Sequence, residues 1–343
     1  MLHHTVSRRG NQFPPLLFTL VIFFTSHFGT TTALAQISLD DVHVTPNSSP
    51  SRLSPFGIDR PTPASAKPIK VNVDLVLVPV TVTDPMDRIV TGLEREDFEI
   101  QDGKESQEIK HFSREDVPVS LGIILDCSGS MKSKIERARE AVAEFVKTAN
   151  PQDEFFLITF SDKPEMVSSF GASADDIQSH LVLTIPKGRT ALLDAVYLGI
   201  SQMKEAKFQR RALLVISDGG DNHSRYTERE LKSLVKEADV TIYAVGIYDR
   251  YFATQEEALG PNLLDEIAAS TGGRAFTVDN PNELSNVARR IGIELRDQYL
   301  IGYRPTAVRR DGKWHKIRVR MRLRKHSPQF RVYAKSGYYA PSE

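Results

Sequence analysis

The sequence predicts an α/β fold: a doubly wound, mostly parallel sheet flanked by a small β-sandwich-like domain built from N- and C-terminal strands. Three observations predict it. Between residues 118 and 295, short apolar runs alternate with amphipathic helical stretches through short loops, as in a sheet covered by helices on both faces. On either side, in 69–117 and 296–343, the apolar period falls to two, the mark of half-buried strands. Two of the middle runs stop at an acid, Asp126 and Asp218. In a Rossmann-like sheet, ligand sites lie beyond the carboxyl ends of the strands.

Residues 1–35 read as a secretory signal peptide. Arg8 and Arg9 precede the apolar core "LLFTLVIFF", Leu16 to Phe24, and "ALA" ends a cleavage signature at Ala35. That core is short for a membrane span, and an uncleaved anchor is the alternative. The expected location is therefore periplasmic or secreted. Residues 36–68 are rich in Pro and Ser with few apolar side chains, so they read as a disordered linker. The chain has 44 basic and 44 acidic residues, and this balance gives no sign of a nucleic-acid partner. Its single cysteine, Cys127, cannot form an internal disulfide and is expected to be a small buried residue.

In 69–117, "IKVNVDLVLVPVTVTD" is a strand buried first on one face and then on both, and "DFEIQDGKESQEI" forms a hairpin around Asp102 and Gly103. These strands are too few to close a sandwich. The missing ones are expected in 296–343, from "QYLIGYRP", "WHKIRVRMRLRK" and "FRVYAKSGYY". In the second of these, Arg318, Arg320, Arg322 and Arg324 alternate with apolar residues. The pattern predicts one basic wet face, either simply solvated or a contact patch for an acidic polymer or anionic surface.

The middle region begins with "VSLGIILD", followed by a helix with Ile135, Ala138, Ala141, Val142, Phe145 and Val146 on one face. "EFFLITF" and "RALLVISD" read as buried strands, "VTIYAVGI" as another, and "GGRAFTV" as a turn. A helix opens at Thr227, where Glu230 completes a capping box.

The stretch "DCSGS", Asp126 to Ser130, carries the chemistry. A phosphoryl-transfer aspartate wants a second acid two residues on, where Ser128 stands. A serine nucleophile wants flanking glycines and a histidine, yet Ser128 lacks the preceding glycine and His180 and His223 read as surface residues. A phosphate cradle wants glycine and lysine before the helix, and an acid there would repel the ligand. Metal binding fits better. Asp126, Ser128 and Ser130 lie on one loop whose alternate side chains point the same way, with Thr190 and Asp218 available from two other loops. Five oxygen donors leave one position open on a small divalent ion that wants about six.

The motif D-x-S-x-S, then a threonine, then an aspartate resembles the metal-ion-dependent adhesion site (MIDAS) of the von Willebrand factor type A (VWA) domain. The resemblance implies Mg²⁺ or Mn²⁺ held by Ser128 and Ser130 directly, by Thr190 directly or through water, and by Asp126 and Asp218 through water. "LVLVPVTVTD", "LEREDFEI" and "GYYAP" are similar to a bacterial subgroup of exported VWA-related proteins. With mainly neutral hydroxyls around it, a cation keeps enough charge to take a partner's carboxylate. The reading is an exported protein-binding module, not an enzyme, with Asp or Glu of a partner protein as ligand. Two alternatives stand beside it. One is a metal-dependent hydrolase; the other is an architectural envelope protein that binds through its basic C-terminal strand.

Overall fold

The computed structural model describes residues 75–218, 220–248, 255–306, 311–322 and 329–342. The predicted signal peptide, the linker, the start of the first strand at 69–74 and Arg324 lie outside the described residues. Among those described, no helix is long and apolar enough to cross a membrane.

In chain order, β1 (Val76–Thr83), β2 (Phe98–Asp102), β3 (Glu105–Gln107) and β4 (Ile109–Ser113) come first. Next are β5 (Val119–Asp126), α1 (Ile135–Lys147), β6 (Glu154–Phe160), β7 (Pro164–Ser168), α2 (Ala174–Leu183) and α3 (Leu192–Gln202). The middle region continues with β8 (Arg210–Ser217), α4 (Glu228–Glu237), β9 (Thr241–Ile247), α5 (Gln255–Thr271), β10 (Ala275–Val278) and α6 (Leu284–Arg296). The chain ends with β11 (Tyr299–Tyr303), β12 (Trp314–Met321), β13 (Arg331–Ala334) and β14 (Gly337–Tyr339).

The six-stranded central sheet runs β10-β9-β8-β5-β6-β7. Every residue of β5 is buried, because helices cover both faces. Leu121, Ile123 and Leu125 pack with Ala138, Val142 and Phe145 of α1 and Ala288 and Ile291 of α6. Ile124 on the opposite face packs with Val196 of α3, Leu231 of α4 and Ile267 of α5. Gly122 is required there, since a Cβ would stand 2.2 Å from the Phe156 ring.

Two elements differ from the sequence expectation. β7 is an added edge strand, antiparallel to β6. Its "PEMVS" is too short and too polar to show a period, and its place at the edge explains why no apolar run is needed. "GGRAFTV" is more than a turn, because its last four residues form β10, parallel to β9.

The flanking β domain consists of two four-stranded sheets, β13-β1-β11-β4 and β14-β12-β2-β3, and each mixes strands from both ends of the chain. β11 pairs along β1 from Val76↔Tyr303 to Val80↔Tyr299, and β12 pairs along β2. The hairpin of β2 and β3 closes between Asp102 and Glu105, with Gly103 at φ 62° supplying the left-handed position. Val78, Val80, Phe98, Ile100, Tyr299, Ile301 and Ile317 form the core between the sheets. Arg318 and Arg320 are exposed on the other face of β12, and Arg322, just past its end, is exposed as well.

A partly buried ionic cluster fastens this β domain to the central sheet. Asp87, in the β1–β2 connection, accepts from Arg274 at 2.6 and 2.7 Å and from Arg290 at 2.5 Å. Arg274 also donates to Glu294 at 2.9 Å, beneath Tyr333, whose ring centroid lies 4.4 Å from the guanidinium carbon.

Candidate metal centre

Asp126 closes β5 at the carboxyl end of the sheet and is fully buried. Its Oδ1 accepts the Ser128 backbone N–H at 2.8 Å, and its Oδ2 accepts the Ser217 hydroxyl of the next strand at 2.6 Å. After Asp126 the chain turns through a 3-10 segment, Gly129–Ser133, rather than the extended loop expected. Ser128 itself stays extended (φ −68°, ψ 169°), and its Oγ lies 3.1 Å from Ser130 Oγ. Ser128 is buried and Ser130 exposed, so the two hydroxyls lead from the interior to solvent.

Asp218, just past the end of β8, is 1% exposed. Its Oδ2 receives a hydrogen bond from the Lys134 ammonium at 3.2 Å, and that ammonium also reaches the Ile247 carbonyl at 3.5 Å. Thr190 is buried in the loop before α3. Its N–H donates to Asn222 Oδ1 at 3.0 Å, and its carbonyl accepts the N–H groups of Asn222 at 3.0 Å and His223 at 3.1 Å. Two more backbone bonds join the remaining pair of loops, Gly129 N–H to Gly188 O at 3.0 Å and Lys187 N–H to Cys127 O at 2.9 Å. The stretches around Asp126, Thr190 and Asp218, far apart in sequence, are thus bonded to one another at one end of the sheet.

Burial, and then the Asp218 charge beside it, push the Asp126 carboxyl up to about 7. With both acids ionised, the one ammonium leaves a deficit of positive charge in this buried site. Among the described residues, no group of three or more His, Cys, Asp or Glu side chains is placed to hold a metal ion. The donors gathered at this end are carboxylate and hydroxyl oxygens, a set that suits a hard divalent cation and not a thiophilic one.

Residues 121–290 match the family model of the von Willebrand factor type A domain. The central sheet has the VWA fold. A protein of Borreliella burgdorferi is 24% identical over 186 residues, covering 46% of this chain and 53% of its own length. The inter-alpha-trypsin inhibitor heavy chain H4 of Bos taurus is 21% identical over 213 residues, which are 56% of this chain and 22% of its own. The chain therefore spans about half of the first relative and under a quarter of the second. Among solved structures, a von Willebrand factor type A protein from Catenulispora acidiphila is 12% identical, with 78% of this chain and 75% of that chain covered and a TM-score of 0.46.

Within the central domain, Asp221 is engaged away from the end of β8. It accepts from Ser224 Oγ at 2.6 Å and from the Leu193 N–H at 3.4 Å, at the start of α3. Cys127 is free and 4% exposed, and burial followed by the Asp126 charge pushes its thiol up to about 12. His180 sits on the exposed side of α2, bonded to the Asp176 carbonyl at 2.7 Å. His223 lies nearer the centre than the sequence indicates, half-buried with its ring Nε2 accepting from Arg189 at 3.0 Å.

Sequence reasoning missed four side chains that shape this end of the central sheet. Ser217 orients Asp126, Lys134 neutralises Asp218, and Arg139 of α1 donates to the Thr184 carbonyl at the head of the loop leading to Thr190. Tyr248, after β9, has a buried hydroxyl without a partner, and burial followed by the Asp218 charge raises its phenol. Lys134 did leave a signal: a cation next to the first turn of α1 opposes the helix dipole unless an acid faces it.

Proposed function

We propose that this chain is an exported protein-binding module that captures a partner's Asp or Glu side chain at a divalent cation. Asp126, Ser128, Ser130, Thr190 and Asp218 would hold Mg²⁺ or Mn²⁺. When bound, the cation supplies an electrophilic position for an anionic oxygen. The observation that carries the reading is the pairing of buried Asp126 and Asp218 at neighbouring strand ends, beside two hydroxyls in contact at 3.1 Å, of which Ser130 is open to solvent.

VWA domains typically mediate protein–protein adhesion, and that supports binding over turnover. The surface around Ser130 suits a protein ligand. Lys132 and Lys187 are exposed there, and the loop bonded to Cys127 is preceded by Val182, Leu183 and Ile185, which are 71, 78 and 76% exposed. Large apolar side chains open to that degree near exposed cations fit a partner that is acidic and partly apolar. Export to the periplasm or beyond rests on the N-terminal segment alone.

Calorimetric titration of the full chain with Mg²⁺ and Mn²⁺, with Asp126→Ala beside it, tests the cation. Capture of partner proteins in cation and in chelator, with competition by an Asp-containing peptide and its Asn counterpart, tests the ligand. Cation binding by the wild type only, and competition by the Asp peptide only, are expected. Capture in chelator with unchanged affinity would overturn the mechanism. A hydrolytic activity that falls in Asp126→Ala would revive the enzyme reading, and loss of capture on neutralising Arg318, Arg320 and Arg322 would favour the architectural one.

A further inference from the structure

A cleft lies at the opposite end of the strands. Val119, Arg210, Arg211 and Thr241 open β5, β8 and β9, and between them and the β domain this cleft measures about 800 Å³. Its walls are largely apolar, with Leu77, Pro79, Val240, Leu300, Trp314 and Tyr339 among the lining residues. Volume and lining are those of a site for a small molecule.

The charges lining the cleft do not balance. Four cations, Arg210, Arg211, Lys236 and Lys335, stand against one acid, Asp239, and Asp239 is taken by Lys335 at 3.1 Å. Arg210 spends its donors on neutral acceptors, the Leu295 carbonyl and Gln298 Oε1. Arg211 differs from both. Its Nε is buried without a hydrogen-bond partner, and among the described residues no carboxylate lies within ion-pair distance of its guanidinium. A buried guanidinium N–H lacking an acceptor is costly to leave so, and a carboxylate is the acceptor that its planar fork matches.

We propose that this cleft binds an apolar monocarboxylate, a ligand of the fatty-acid type, with its chain along the apolar wall and its carboxylate on Arg211. One unpaired guanidinium suits a single negative charge, and Lys236 at the exposed rim adds attraction without enclosing a second one. The site is independent of Asp126 and Asp218, and its ligand needs no cation.

Trp314 is the only tryptophan of the chain and lines the cleft, with its ring against Tyr339 at 5.1 Å, so its emission reports occupancy. Decanoate, decanol and acetate are titrated separately into the full chain with chelator present, followed by fluorescence and by calorimetry. Decanoate is expected to give a saturable change at one site per chain, decanol to bind at least about tenfold more weakly, and acetate to leave the emission unchanged. Arg211→Met should weaken decanoate at least about tenfold, and Arg211→Lys should keep part of the affinity. Equal binding of decanoate and decanol by the wild type would overturn the proposal even if Arg211→Met failed to fold. No saturable signal by either method would overturn it too. Concentration-dependent dimerisation that decanoate does not disturb but Tyr339→Asp abolishes would assign the cleft to a second copy instead.

Discussion

The Lys134 ammonium stands 3.2 Å from the Asp218 carboxylate, across the mouth of the sheet from the buried Asp126. The pair is well shielded, with the lysine side chain 13% and the aspartate side chain 2% exposed. It gives the two acids one compensating charge.

Removing that charge by Lys134→Met should destabilise the chain in chelator, because an acid left alone in a buried pair costs about 3 kcal/mol or more. Added Mg²⁺ should then raise the melting midpoint further above its value in chelator than it does in the wild type, as expected of a ligand that binds only the folded chain. Thermal melts of both proteins, with chelator and with Mg²⁺, check this. Identical midpoints in chelator would show that the ammonium carries no such load.

Gly188 holds the Thr190 loop in a conformation that side-chain-bearing residues rarely adopt. Its φ is +78°, and a Cβ would meet Asp162 Oδ2 at 2.5 Å. Gly171 has a similar φ of +98° but open space around it. Gly188→Ala should therefore cost more than Gly171→Ala, for which strain alone is about 1–3 kcal/mol. Urea unfolding compares them. Only the first should also reduce stabilisation by Mg²⁺, since the Gly188 carbonyl accepts the Gly129 N–H.

Asp87 predicts an acid-sensitive contact between the β domain and the central sheet. Burial pulls its carboxyl upward, but hydrogen bonds from Arg274 and Arg290 outweigh this and hold it below the ordinary 3.8. A carboxyl lowered by folding contributes stability that is fully present above its unfolded value and is lost as pH falls through the folded one. Asp87→Asn should be clearly less stable than the wild type at pH 7, and the gap should narrow as pH falls below 3.8. Urea midpoints across that range decide it; a gap independent of pH would refute the assignment.

Cys127 should be silent toward thiol reagents in the folded chain. It is 4% exposed with its thiol pushed up to about 12, so almost no thiolate exists near neutrality. Colorimetric thiol titration at pH 8 should find it only after urea is added. Rapid reaction of the native chain would place it at an open site.

The sequence by itself determined the alternation of strand and helix, the two strand-ending acids and the period-two segments at both ends. Each is written in short-range patterning, where burial on one face or two dictates which positions are apolar. β7 escaped because an edge strand with one partner needs no apolar run, and β10 because four residues carry too little periodicity. Only the tertiary structure decided what the named side chains meet. Asp221 lies three residues from Asp218, yet the loop after β8 turns it to the start of α3 and leaves Asp218 with Lys134. Ser217 on Asp126, Asp87 on Arg274 and the unmatched Arg211 in its cleft are likewise encounters between distant segments. Such contacts depend on sheet order and loop closure, which no local pattern in a chain records.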